Sequence, residues 1–291
     1  MRDAPRHGLT GLAVEIALIP FALYHFHKAG LFGVAANLIA IRLTTFVIMP
    51  LEAGALVLDI AGIGAPLWWA AGHALEGLLW PARTVASARG AVATLASMPS
   101  WAFALMVAGG LWLCLWTTRP RLFGFVPFAV GAAAAFLSPT PDLLVTGDGR
   151  HLAVVATDGR PMMLRDRSGD FMRDLISEAS GFDEEPGLLD AALFGSCSRD
   201  SCVAVIQRDG REYSLLATRS TTRIDWQSLV QACARADIAV SDRWLPRSCA
   251  PRWLKLDRKT LEQTCGVALF LGEKPRVETV SEHLAGHPWA M

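Results

Sequence analysis

Between Gly8 and Ala71 the chain runs almost without charge. Over this stretch only Glu15, Lys28, Arg42, Glu52 and Asp59 are charged, accompanied by His25 and His27. A soluble domain of ordinary size cannot bury that much continuous apolar surface. A bilayer can, because about 20 apolar residues cross its hydrocarbon core of roughly 30 Å. The stretch is therefore expected to lie within a membrane, with the later residues hung from it as a second domain.

Charge placement supports that division. The net charge is zero, but residues 1–140 hold five acidic and eight basic side chains, while residues 141–291 hold 22 and 19. The first part reads as lipid-solvated and the second as water-soluble. Domains are expected at 1–138 and 139–291. No basic or acidic run marks a nucleic-acid arm.

Apolar segments are expected at about 9–26, 31–49 and 50–71, with Pro50 breaking the pattern between the last two. Residues 75–98 place Leu78, Leu79, Val85, Val92, Leu95 and Met98 roughly on one helical face. This suits a helix lying in the membrane interface, anchored by Trp80. Two more segments, 101–117 and 122–137, flank the turn TRPR. Basic residues in short loops favour the cytoplasmic side. Five spans, an internal N-terminus and an extracytoplasmic C-terminal domain follow as the expected topology.

That placement permits disulfides. Of the six cysteines, Cys197, Cys202, Cys233, Cys249 and Cys265 lie in the polar half. Cys197 with Cys202 and Cys233 with Cys249 are the expected pairs, leaving Cys265 over. No CxxC spacing or neighbouring histidine suggests zinc. In the same half, Asp-Gly turns at 147–149, 157–159 and 208–210 separate candidate strands 142–146, 151–157, 161–165, 202–207 and 212–218. Helical patterns at about 170–180, 225–235 and 258–264 alternate with further strands. An α/β domain with helix-covered sheets is expected.

Few residues point to chemistry. Charge inside hydrocarbon costs at least about 2.5–3.5 kcal/mol, so such groups usually face a protein interior, a water path or a partner. Arg42 and Glu52 could line a translocation path or pair with each other. His151, His283 and His287 form no ligand pattern for a hydrolytic metal. GxSxG and P-loop elements are absent. CAPRWLKLDR (249–258) sets Arg252 and Lys255 beside Trp253, a mixture able to touch a nucleic-acid backbone, or simply a solvated face.

The segment 24–56, YHFHKAGLFGVAANLIAIRLTTFVIMPLEAGAL, resembles the core membrane motif of ComEC-type competence channels. Tyr24, His25, Phe26, Asn37, Leu38, Pro50 and Leu51 match that family's pattern in order. ADIAVSD (236–242) and LDRKTLEQTCGVALFL (256–271) look like later strands of its C-terminal domain. The resemblance implies a multi-pass α-helical membrane domain followed by an α/β domain of degenerate metallo-β-lactamase-like fold. It also implies a bacterial inner-membrane location, single-stranded DNA as ligand and a role in its uptake during natural transformation. His25, Asn37, Arg42 and Glu52 become candidates for the transport path, and Arg252, Trp253 and Lys255 for DNA contact.

Two departures accompany the resemblance. The chain looks like the C-terminal portion of such a protein, so a missing N-terminal half, other competence proteins or a second copy are expected partners. The family's metal-binding histidine motif has no counterpart, and Ser241, Asp242 and Arg243 stand where its later histidines would be. No metal, other cofactor or nuclease activity is therefore expected. A membrane-anchored metal-dependent nuclease or hydrolase, and an inactive fragment, are the alternatives.

Overall fold

The computed structural model describes residues 17–30, 32–88, 91–220 and 222–284. The chain divides into two compact units, one of residues 1–94 and 98–135 and one of residues 95–97 and 136–291.

The first unit is helical. Helix α1 (Ala17–Phe26) leads into strand β1 (Lys28–Gly30), which pairs antiparallel with β2 (Val92–Thr94). Between them lie α2 (Gly33–Leu43), a π-helical turn (Thr44–Ile48), α3 (Met49–Asp59) and α4 (Ala65–Ala86). Pro50 does not interrupt the helix as the sequence suggests. It occupies the first turn of α3, just after the π turn, where the Met49 N–H reaches back to the Thr44 carbonyl. The wider turn accommodates the proline, whose ring and missing N–H disturb the hydrogen bonding of a regular α-helix.

The expected multi-pass domain is corrected here. Among the described residues one helix, Ile39–Asp59, is long and apolar enough to cross a membrane. Helix α5 (Ser100–Leu115) has 16 residues and α6 (Phe125–Phe136) has 12. At 1.5 Å per residue these are about 24 and 18 Å long, short of the hydrocarbon core. The interfacial helix expected at 75–98 is not a separate element. Its first half continues α4 through Pro81, and residues 92–94 are strand.

Helices α5 and α6 pack through small residues. A Cβ on Gly109 would lie 2.6 Å from the Gly124 carbonyl oxygen, and one on Gly131 only 2.5 Å from that of Ala102. Backbones approach this closely only where side chains are minimal. Gly131→Leu is expected to force the pair apart and to cost about 1–3 kcal/mol. The readout is thermal unfolding of the detergent-solubilised chain; an unchanged midpoint would show that the two backbones do not touch.

The second unit stacks two sheets. One has six strands in the order β13-β12-β3-β4-β5-β6 and the other five, β11-β10-β9-β8-β7. In the first, β3 (Leu143–Thr146), β4 (Leu152–Val155), β5 (Pro161–Met163), β12 (Gly266–Phe270) and β13 (Arg276–Thr279) are antiparallel neighbours, and β6 (Gly187–Leu188) runs parallel to β5. In the second, β7 (Gly195–Cys197), β8 (Ser201–Arg208) and β9 (Arg211–Thr218) form a meander. Strands β10 (Ile238–Val240) and β11 (Leu254–Leu256) then add parallel.

Strand β8 shows the period of two that creates the core. Cys202, Ala204 and Ile206 are buried, whereas Val203, Val205 and Gln207 are exposed. The inner faces of both sheets, including Leu143, Val154, Leu215, Ile238, Leu256 and Leu269, merge into one apolar layer. Helix α7 (Asp170–Ser180) covers the outer face of the six-stranded sheet through Ile176 on Ala153 and Met163. Helix α8 (Trp226–Arg235) covers the other through Cys233 on Leu216 and Ala239. A short helix α9 (Arg258–Thr264) precedes β12, and α10 (Val280–Leu284) follows β13.

Asp209 and Gly210 both take positive φ, 49° and 74°. This is the turn that matches the twist of a two-residue hairpin such as β8–β9. Disulfides join Cys197 to Cys202 and Cys233 to Cys249, each closing a loop at a cost to the unfolded chain of about 2–4 kcal/mol. Cys114 and Cys265 carry free, exposed thiols.

Candidate functional site

The polar residues proposed for a transport path do not meet. His25 is exposed on the last turn of α1. It belongs to an aromatic group in which Tyr24 stacks on Phe103 of α5 at 4.3 Å. Asn37 and Arg42 are exposed on α2, and Glu52 is half-buried on α3. Arg42 and Glu52 are ten residues apart on one continuous helix, about 15 Å along its axis, too far to pair. Asp59 accepts a 2.8 Å hydrogen bond from Trp68 Nε1. Glu15 and His287 lie outside the described residues.

Large apolar side chains stand on the outside of this unit. Phe46, Ile60, Trp69, Trp80, Leu115 and Phe123 are each more than two-thirds exposed. Apolar surface of this extent marks contact with lipid or another chain.

In the second unit, polar chemistry collects where β5, β9 and β10 end. Arg165 follows β5 and gathers three other segments. Its Nε donates to the Arg219 carbonyl at 2.8 Å and its Nη1 to the Arg150 carbonyl at 2.9 Å. Nη2 donates to Asp242 Oδ2 at 2.8 Å, with the Thr218 carbonyl at 3.4 Å. Beneath it, Thr218 Oγ1 donates to Ser241 Oγ at 2.8 Å, both residues buried. His151 Nδ1 lies 3.1 Å from Ser168 Oγ.

The Asp148 turn sets the Arg150 carbonyl. Burial would raise the Asp148 carboxyl, but the Thr146 hydroxyl and Arg150 N–H that donate to it act the other way. Together with the charges of His151 and Arg150 they hold it below its ordinary 3.8. A lowered carboxyl adds stability above its unfolded value, lost as pH falls through the folded one.

Among the described residues no group of three His, Cys, Asp or Glu side chains could hold an ion. Where later ligands were expected, Ser241 is bonded to Thr218 and Asp242 to a guanidinium.

The residues proposed for nucleic-acid contact separate. Lys255 turns its ammonium inward, to the carbonyls of Leu245 (3.2 Å) and Pro246 (2.8 Å). Arg252 stays exposed, 3.7 Å from Asp237, and Trp253 leans on Tyr213 with ring centroids 6.0 Å apart. A cavity of about 580 Å³ opens instead between α8 and the loop after β10, lined by Arg223, Trp226, Arg243 and Trp244 among others. The signal for it was present as RIDW (223–226) and DRW (242–244), two arginine–tryptophan pairs distant in sequence.

Residues 2–120 match the family model described as "Competence protein". The match falls almost entirely within the first unit, residues 95–97 excepted, and covers the Tyr24–Leu51 segment that carries the resemblance. It leaves the two-sheet unit unassigned, so the metallo-β-lactamase-like identity expected for that unit is not confirmed. No curated protein and no solved structure matches the chain.

Proposed function

We propose that this protein takes part in uptake of single-stranded DNA during natural transformation, as a membrane-associated component of the bacterial inner-membrane passage. The observation that carries the reading is the competence-family match over residues 2–120. It is supported by the helix Ile39–Asp59, among the described residues the one able to cross a bilayer, and by the exposed apolar side chains of the same unit.

The one helix among the described residues that is able to cross a bilayer does not enclose a path by itself, and the reading has the passage shared with further competence proteins or a second copy. His25, Asn37, Arg42 and Glu52 offer polar groups to such partners rather than a finished lining. In this reading the second unit lies outside the membrane and handles the strand without cutting it, its polar cluster being occupied by Arg165. A metal-dependent hydrolase would need ligands that no cluster of the described residues provides.

Deleting the locus is expected to abolish uptake of labelled DNA and recovery of transformants, with restoration by the full chain in trans. Undiminished transformation in the deletion strain would overturn the reading.

A further inference from the structure

The geometry points to a nucleotide-binding cleft between α8 and the loop Ser241–Pro246, taking one unit of a single DNA strand with its base on indole and its phosphate on guanidinium. This inference rests on the proposed role in DNA uptake and names the surface that would serve it.

Four side chains define the cleft. Trp226 and Trp244 line it and are 59% and 74% exposed. Two tryptophans this open, facing one cavity, are unusual, because indoles normally spend their area on a core. Arg223 is exposed and, among the described residues, enters no ion pair. Arg243 lies at the same cavity; its Nη1 donates to the Thr222 carbonyl at 2.8 Å, and its Nε is 3.8 Å from Asp242. The carboxylates nearby are already engaged. Asp242 holds Arg165, and Asp225 caps α8, accepting from the Ser228 N–H at 3.0 Å and from its hydroxyl. Those two bonds keep the Asp225 carboxyl below its ordinary value. With the helix N-terminus capped, an anion here would be held by the arginines.

The walls are braced. Cys233 of α8 is bonded to Cys249, so the helix bearing Trp226 is tied to the segment that follows Trp244. Lys255 fixes the intervening Leu245 and Pro246 carbonyls from below. Aromatic faces beside cations are what sequence-tolerant single-strand binding requires, since every base has a π face and every link a phosphate. A volume of about 580 Å³ suits a ligand of nucleotide size.

The test is binding of a fluorescein-labelled oligothymidylate to the full chain in detergent. Trp226→Ala and Trp244→Ala are each expected to weaken binding roughly ten- to hundredfold, with recovery in the phenylalanine variants. Arg223→Ala should lower the slope of log K against log salt by about 0.7, one phosphate contact. Thermal unfolding of each variant separates lost binding from lost fold. Wild-type affinity in well-folded alanine variants would overturn the cleft and leave the uptake reading standing. Equal affinity for thymidine monophosphate would overturn the strand as ligand, and equal affinity for duplex would overturn stacking. Binding that depends on both tryptophans, alongside undiminished transformation in the deletion strain, would uphold the cleft and overturn the uptake role.

Discussion

Arg208→Ala is expected to destabilise the two-sheet unit by about 3–5 kcal/mol, the range for removing one partner of a buried ion pair. Arg208 ends β8 in the five-stranded sheet, and Asp142 precedes β3 in the six-stranded one. Their side chains are 19% and 9% exposed. The Arg208 Nε donates to Asp142 Oδ1, and its Nη2 to the Val155 carbonyl at 2.7 Å. The other carboxylate oxygen accepts the Leu271 N–H at 2.6 Å. One guanidinium thus rivets both sheets at an edge of the core. Alanine would strand the carboxylate and the Val155 carbonyl without water to replace the lost donors. Arg208→Lys should fall between, since an ammonium can meet the carboxylate but not the fork of acceptors. At roughly 2–4 °C per kcal/mol for a unit of this size, the alanine variant should melt about 6–20 °C lower. Near-ultraviolet circular dichroism of the full chain would follow this. A shift of a degree or two would mean that water already reaches the pair.

What the sequence revealed depended on how local the signal was. The three Asp-Gly turns and the alternation in CVAVIQ placed β3, β4, β8 and β9 because a strand's period and a hairpin's φ requirement are both local. The cysteine pairs were legible for a related reason, each lying across one short excursion of chain. Membrane crossing was not local in that sense. Apolar runs at 101–117 and 122–137 carry the right composition, but crossing also needs an uninterrupted length. That length is set by where the chain turns, as at Arg119–Gly124. Pro50 misled in the opposite direction: five residues of π-helix, TTFVI, carry a continuous helix past it. Residue type alone did not show where the side chains proposed for nucleic-acid contact would point. Lys255 looked like a phosphate contact and is bonded to backbone, whereas Arg223 and Arg243 line one cavity because residue 243, just after β10, lies near the entry to α8. No spacing rule joins positions 20 residues apart through a parallel strand pairing.

Arg165→Ala carries the second large expectation, a loss of about 3–5 kcal/mol, and it tests why the cluster is closed to metal chemistry. The guanidinium answers three carbonyls and one carboxylate from segments that otherwise repel, since every group facing it is an acceptor. Asp242 is 12% exposed, and its Oδ1 makes no hydrogen bond. Without Arg165 that carboxylate would keep only Arg243, 3.8 Å away. If the loss comes from an isolated buried charge, Arg165→Met with Asp242→Asn should recover more than half of it, because a neutral pair of similar volume carries no ionic desolvation. If it comes from the carbonyls instead, the double variant should be no better than Arg165→Met alone. Chemical denaturation of the four proteins gives the coupling directly. Coupling near zero would show that Arg165 holds the loops through backbone alone, and that Asp242 sits there for a reason other than its partner.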